Sequence, residues 1–132
     1  MKPIPVPDET TAFYWNAARQ GRLEVQRCAR CGSHQFPPTI ACPGCQSDDL
    51  VHSAMSGRGR VYSFTVVRQA FDAAFVEDLP YVVALVELEE DPGVRILSNI
   101  VGAPLDSIHV GMPVEVGFED RDGVSLPVFR PC

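Results

Sequence analysis

Four cysteines in two closely spaced pairs are the residues of this sequence with the clearest chemical potential. The pairs are Cys28-x-x-Cys31 and Cys42-x-x-Cys45, and ten residues separate them. Two tight turns that face each other place four thiolates tetrahedrally around one metal ion, with zinc–sulfur distances of about 2.3 Å. The spacing therefore predicts a metal site on these four residues.

Other uses of the cysteines fit the sequence less well. Two CxxC disulfides would be strained, and they are unusual in a cytosolic chain. A thioredoxin-like redox pair needs a single CxxC in a βαβ context, which is missing. Iron of the rubredoxin type uses the same geometry, so spacing alone leaves zinc and iron open, with zinc the commoner occupant. Four thiolates leave no position for water, so we predict a structural Zn²⁺ ion.

No other group of residues forms a recognisable catalytic motif. The sequence contains no GxSxG elbow, no glycine-rich phosphate loop and no HExxH pair. Glu87, Glu89, Glu90 and Asp91 form a charge run at the end of a predicted strand, which is typical of a solvated turn. We therefore predict that the chain is not an enzyme on its own.

The charged residues are unevenly divided along the chain. Residues 1–59 contain six basic and five acidic residues, whereas residues 60–132 contain five basic and twelve acidic ones. An acidic module is a poor candidate for binding nucleic acid, because phosphate contacts supply most of that affinity. No apolar run approaches the roughly 18 residues that span a bilayer. With no signal-like N-terminal stretch either, we expect no membrane contact and a cytoplasmic location.

The elements that must position the cysteines are short. Residues 8–20 are predicted as a helix, with Asp8 as its cap and Gly21 at its end. Twelve prolines and ten glycines favour short strands over long helices. The predicted strands after the cysteines are residues 60–69, 81–89, 94–101, 113–119 and 125–129. Five short strands, with a longer excursion from 104 to 110, predict an OB-type barrel.

The connection between the first two of these strands is unusually apolar. It carries Phe71, Phe75, Val76 and Leu79, more apolar surface than an exposed loop normally holds. Three interpretations are open: folding back on the barrel, docking on another protein, and lining an acyl-binding passage. The aromatic run 13–15 of the helix likewise needs cover on more than one side, from its own modules or from another subunit.

Taken together, these stretches resemble a family filed as domain of unknown function thirty-five. The resemblance covers nearly the whole chain and implies a mainly β fold with three parts. These are a helical segment (1–21), a rubredoxin-like zinc ribbon (22–58) and an OB-fold (59–132). One departure is Thr39, where the family often has arginine, which puts any ligand or partner contact of that arginine in doubt. The stretches that carry the resemblance are 21–32, 36–38, 42–45, 59–67, 80–86 and 111–116.

Members of that family accompany thiolase-like or lipid-transfer-protein-like enzymes that act on acyl-CoA. The resemblance implies a non-catalytic accessory subunit of a hetero-oligomer that performs acyl transfer or retro-aldol cleavage, including breakdown of lipid or steroid side chains. The chain would brace its partner and help enclose the shared acyl-CoA. Two alternatives stay open: an OB-fold nucleic-acid-binding module and a free-standing acyl-CoA-binding protein. Candidate partner or acyl-CoA contacts are Phe13, Trp15, Arg22, Arg30, Phe71 and Phe75.

Overall fold

The computed structural model describes residues 2–132 and consists of a small three-stranded sheet followed by a closed barrel. One α-helix, α1 (Ala12–Arg19), precedes both, and short 3₁₀ segments lie at Ala73–Asp78 and Leu105–Ser107. In residues 2–132 no helix is long and apolar enough to cross a membrane. The strands are β1 (Leu23–Cys28), β2 (His34–Gln35), β3 (Leu50–Met55), β4 (Arg58–Val67), β5 (Tyr81–Leu88), β6 (Asp91–Ile100), β7 (Pro113–Arg121) and β8 (Val124–Pro131).

The helix is shorter than the predicted range of 8–20. Asp8 does bind backbone amides, but within a turn that precedes the helix: its Oδ1 accepts from Thr10 N (3.0 Å) and Thr11 N (2.8 Å). This turn uses the residues predicted as the first helical turn, so α1 begins at Ala12. Gly21 follows the helix with a φ of 76°, a conformation that favours glycine.

The buried face of α1 packs against both the small sheet and the barrel. Tyr14, Ala17 and Ala18 are buried, and the helix contacts β1 of the small sheet and β8 of the barrel. Small alanine side chains on this face let the helix backbone approach both strands closely. The aromatic helix is therefore covered largely by its own chain, which was one of the two predicted alternatives.

The small sheet, called the ribbon below, has the strand order β2-β1-β3 with antiparallel pairing. β1 is the central strand and pairs with both of its neighbours, and β3 was not among the predicted strands. Residues 50–55 mix polar and apolar types, so their strand conformation depends on pairing with all of β1.

The barrel closes in the order β4-β5-β6-β8-β7, with β4 pairing to β7. All neighbours are antiparallel except β6 and β8. Along β5 buried side chains alternate with half-buried ones, as expected when one face of a strand lines a core. This topology confirms the predicted mainly β fold with a five-stranded OB-type barrel. Buried side chains of the barrel include Val61, Val82, Ala84, Val86, Leu88, Val94, Ile96, Val114 and Phe129.

The hairpin between β5 and β6 differs from the prediction. The turn was expected at residues 90–93, but β6 already begins at Asp91. Pro92 is accommodated because a register shift lies between Glu87 and Leu88, where the ladder is irregular. Asp91 Oδ1 accepts a hydrogen bond from Gly93 N (3.0 Å), which stabilises this irregular start.

The acidic residues of that hairpin hold the junction between ribbon and barrel. Ser56 Oγ donates to Glu89 Oε1 (3.0 Å), and Ser56 N donates to Glu90. Asp91 Oδ2 lies 3.0 Å from Nδ1 of His34 in the ribbon. The interpretation of this charge run as a solvated turn was therefore incomplete, because its carboxylates bind the neighbouring module.

Candidate metal centre and docking surface

The four paired cysteines come together at the tip of the ribbon. Their sulfur atoms all lie within 4.8 Å of one another. The Cys28 and Cys45 sulfurs are 3.6 Å apart, as are those of Cys31 and Cys42. Sulfurs at the corners of a tetrahedron around zinc, each about 2.3 Å from the ion, are separated by about 3.8 Å. The donor set and its spacing therefore fit a closed, four-thiolate zinc site.

Two turns with the same backbone hydrogen bonds present these cysteines. In the first, Gly32 N donates to Cys28 O (2.8 Å), and Gly32 has a φ of 80°. In the second, Gln46 N donates to Cys42 O (2.8 Å) with a φ of 67°. The shared geometry requires the left-handed conformation four residues after each first cysteine. No signal in the sequence indicated this conformation at Gln46, because glutamine rarely adopts it.

Ser33 sets the electrostatics on one side of the cluster. Its Oγ lies 3.1 Å from Cys31 Sγ and 3.6 Å from Cys42 Sγ. The hydrogen bond from Ser33 lowers the pKa of Cys42 to about 6, and it lowers the pKa of Cys31 as well. Thiolate is the form that binds metal, so this hydroxyl favours metal binding over protonation.

Neither of the two ribbon arginines among the candidate contacts has a hydrogen bond to a cysteine sulfur within residues 2–132. Arg22 is exposed and binds Gln20 Oε1 (2.6 Å) and Glu24 (3.4 Å). Arg30 is exposed on the first cysteine turn, and no ion pair or side-chain hydrogen bond of Arg30 occurs within residues 2–132. Both guanidinium groups are therefore accessible from outside the chain, although neighbouring side chains hold Arg22.

The two helix aromatics among the candidate contacts pack within their own chain. Phe13 stacks on the His52 ring, with centroids 3.8 Å apart and 9° between the planes. Trp15 meets Tyr14 edge-on at 5.0 Å. Both Phe13 and Trp15 are half-buried against the core. Each of them therefore has only part of its surface left for a partner.

The apolar residues of the connection between β4 and β5 (residues 68–80) form two sets, one packed against the barrel and one exposed. Phe75 packs towards Tyr81, with ring centroids 6.4 Å apart, and Lys2 Nζ lies 5.9 Å from its centroid. Phe71 is 98% exposed, and Val76 is also exposed. Folding back thus accounts for Phe75, whereas Phe71 and Val76 face outward.

A cavity of about 570 Å³ lies between this connection and the ends of β5 and β6. Charged residues at it are already paired, Lys2 with Asp78 and Arg121 with Glu119 (3.6 Å). Its volume is within the usual range for a small-molecule site, and its walls are mainly apolar. Apolar lining residues are Phe75, Tyr81, Val82, Ile100, Leu105 and Val128.

Two family models match the chain in succession. Residues 15–51 match the "ChsH2, rubredoxin-like zinc ribbon domain", and residues 52–119 match the "ChsH2, C-terminal OB-fold domain". The chain therefore belongs to the ChsH2-type DUF35 family. This membership confirms the resemblance found in the sequence, and with the sulfur cluster it confirms a zinc ribbon suited to structural zinc.

Individual relatives place the match in context. A "probable enoyl-CoA hydratase alpha subunit" of Thermomonospora curvata is 43% identical over the whole chain, which spans only 40% of that protein. A "DUF35 domain-containing scaffold protein" of Methanothermobacter thermautotrophicus is 38% identical, over 88% of this chain and 90% of that one. The "benzoylsuccinyl-CoA thiolase subunit BbsA" of Thauera aromatica is 31% identical over 98% of this chain and 92% of that one.

One solved structure is similar over nearly its full length. A chain of the "Ltp2-ChsH2(DUF35) aldolase" has a TM-score of 0.87 and 42% identity. The match covers 97% of this chain and 98% of that chain. The same arrangement of ribbon and barrel thus occurs in a chain of nearly equal extent in that aldolase structure.

Proposed function

We propose that this chain is a non-catalytic accessory subunit of a thiolase-like enzyme that acts on acyl-CoA. The observation that carries the proposal is the full-length similarity to a chain of the Ltp2-ChsH2(DUF35) aldolase. The similarity to a benzoylsuccinyl-CoA thiolase subunit supports the same class of partner. The partner would supply the reacting groups for acyl transfer or retro-aldol cleavage.

Within this function the four cysteines would hold Zn²⁺ purely as a structural ion. Cys28, Cys31, Cys42 and Cys45 fill a tetrahedral shell, so no open position is left for substrate. The ion would keep the ribbon rigid beside the barrel. That rigidity would let the subunit brace a partner without losing conformational entropy on binding.

Phe71 and Val76 would form the main contact with the partner. The 3₁₀ segment that follows Phe71 is capped by Asp72, whose Oδ1 accepts from Ala74 N (2.9 Å), and Phe75 packs the segment towards Tyr81 of the barrel. An exposed aromatic ring on a rigid support is the kind of anchor that dominates binding energy at interfaces. The carboxylate of Glu77 beside Val76 is exposed and has no ion-pair partner within residues 2–132, which favours a partner pocket with a basic rim.

The cavity behind this connection would receive part of the acyl group. Its apolar lining suits a hydrocarbon chain, and its charges are already paired with each other. The nucleotide phosphates of CoA would need cations elsewhere, and Arg30 is an accessible one. The barrel carries more acidic than basic residues, so it would not bind the phosphates of CoA strongly on its own, and the partner would share the substrate.

The test is recovery of the tagged full chain from its source cells under native conditions, with bound proteins identified by mass spectrometry. We expect a thiolase-like protein in equimolar amount, and the purified pair should turn over an acyl-CoA that neither protein turns over alone. Recovery of single-stranded nucleic acid would favour the OB-fold binding module. Turnover by this chain alone would contradict the non-catalytic role.

A further inference from the structure

Two buried glutamines stand out among the side chains of the ribbon. Gln26 on β1 and Gln35 on β2 are 5% and 8% exposed, and they are direct cross-strand partners. They are the only buried polar residues that the described part of the chain contains. A buried carboxamide lowers stability unless its donors and its acceptor are hydrogen-bonded, so each needs an explanation.

The burial of the Gln26 carboxamide is explained by its hydrogen bonds to the loop around Thr39. Its Nε2 donates to Thr39 O (2.8 Å), and its Oε1 accepts from Thr39 N (3.0 Å). The Thr39 hydroxyl lies 3.2 Å from the same oxygen and donates to Ala41 O (2.7 Å). Both ends of this carboxamide are therefore satisfied within the loop, and none of its hydrogen bonds involves a sulfur.

Gln35 is different because only one end of its carboxamide is satisfied. Nε2 donates to Ser33 O (2.9 Å), and both Ser33 Oγ (3.2 Å) and Cys42 Sγ (3.5 Å) are within reach as acceptors of its second hydrogen. Oε1 is buried without a hydrogen-bond partner, the one such side-chain atom in residues 2–132. Exchanging the amide nitrogen and oxygen would place an acceptor against a carbonyl and a thiolate, so the observed orientation is the favourable one.

We propose that Gln35 is a positioning residue of the metal centre, whose side-chain N–H donates to the thiolate of Cys42. Four thiolates around Zn²⁺ leave a net charge of −2, and a buried N–H donor offsets part of it at one sulfur. Groups that bind metal ligands in this way commonly change metal affinity 10- to 100-fold when they are removed. The unpaired oxygen is the unfavourable consequence of keeping that donor in place. The proposal rests on zinc ligation by the four cysteines.

The experiment compares zinc release from the full chain in its Gln35→Leu and Gln26→Leu variants, using a chromophoric chelator. Gln26→Leu is the matched control, since it removes an equally buried amide from the opposite strand without touching a sulfur. We expect Gln35→Leu to release zinc about tenfold faster or more, and Gln26→Leu to stay within about threefold of the unmodified chain. Should Gln35→Leu not fold, Gln35→Met keeps a similar length without a charge or an N–H donor and should show the same loss.

A second readout distinguishes a sulfur contact from a general loss of stability. In the Co²⁺-substituted protein, the sulfur-to-cobalt charge-transfer band should shift in Gln35→Leu and stay in place in Gln26→Leu. Equal release rates for the two variants, or an unshifted band, would overturn the proposal. If the unmodified chain bound no zinc, the ligation itself would be wrong, which is a separate result.

Discussion

The tip of the ribbon, residues 26–50, and the barrel are stabilised by different means. In the barrel, buried apolar side chains form a continuous core that also reaches Leu23, Val25 and Met55 at the base of the ribbon. In the tip, the buried side chains are two glutamines and two cysteines, with no buried residue of the Leu, Val, Ile or Phe type. They are Gln26, Cys28, Gln35 and Cys42.

This difference shows what the metal does for the chain. A segment of this size cannot bury enough apolar surface to fold alone, so a bound ion and polar hydrogen bonds replace a core. The barrel needs no such help, because five strands close around Val, Ile, Leu and Phe side chains. Changes at the metal should therefore act on the tip, and changes in the apolar core should act on the barrel.

Zinc removal should have the largest effect and should be confined to the tip. Structural zinc contributes about 10–16 kcal/mol in small zinc modules, so chelation or Cys42→Ser should unfold residues 26–50. Hydrogen exchange followed residue by residue should show lost protection there and retained protection in β4–β8. Equal loss in both regions would show that they fold as one unit, and full protection of the metal-free tip would contradict a structural ion.

A cavity in the barrel core should have the next largest effect. Ile96 is 1% exposed and its neighbour Leu97 is 66% exposed, so the pair provides a matched comparison. Ile96→Ala should lower the free energy of unfolding by about 2–5 kcal/mol, and Leu97→Ala by no more than about 0.5 kcal/mol. Urea denaturation measures both values, and each folded variant should still contain one zinc ion. Similar losses for the two variants would be inconsistent with the core described above.

The junction between the two regions should be the least sensitive. Ser56→Ala removes the hydroxyl that binds Glu89 and accepts from Arg58 N (3.1 Å). Because this site is exposed, we expect a loss below about 1 kcal/mol. Faster amide exchange around residue 58 should accompany that loss. Ser107→Ala, which removes an exposed hydroxyl bound to Pro104 O (2.6 Å), is the control outside the junction.

The features that the sequence predicted are those that local patterns determine. The CxxC spacing predicted the metal centre, and short runs rich in Val, Tyr and Phe between turn residues predicted the barrel strands. Strand β3 was missed because its residues carry little alternation and depend on β1. The helix start was placed four residues early because Asp8 caps a turn there, which has the same signal as a helix cap.

Contacts between distant residues could not be predicted from one sequence. The charge run at residues 87–91 suggested a solvated turn, and only the fold brings Ser56 and His34 to it. Gln35 gave no signal at all, since its role depends on Cys42 across the cluster. Phe71 and Phe75 were grouped by composition, and packing of the connection against Tyr81 separates them.

The most direct test of the accessory-subunit account is the affinity of the purified chain for its thiolase-like partner after Phe71→Ser. Val110→Ser is the control, because Val110 is also exposed (65%) but lies near the opposite end of β4 from the β4–β5 connection. The backbone N of its neighbour Gly111 donates to Val61 O in the first half of β4, whereas the connection follows the end of that strand. Calorimetric titration should show binding weakened at least about tenfold by Phe71→Ser and unchanged by Val110→Ser, with both variants as stable as the unmodified chain. No binding by the unmodified chain would contradict the accessory-subunit account, and unchanged affinity of Phe71→Ser would contradict docking through this connection.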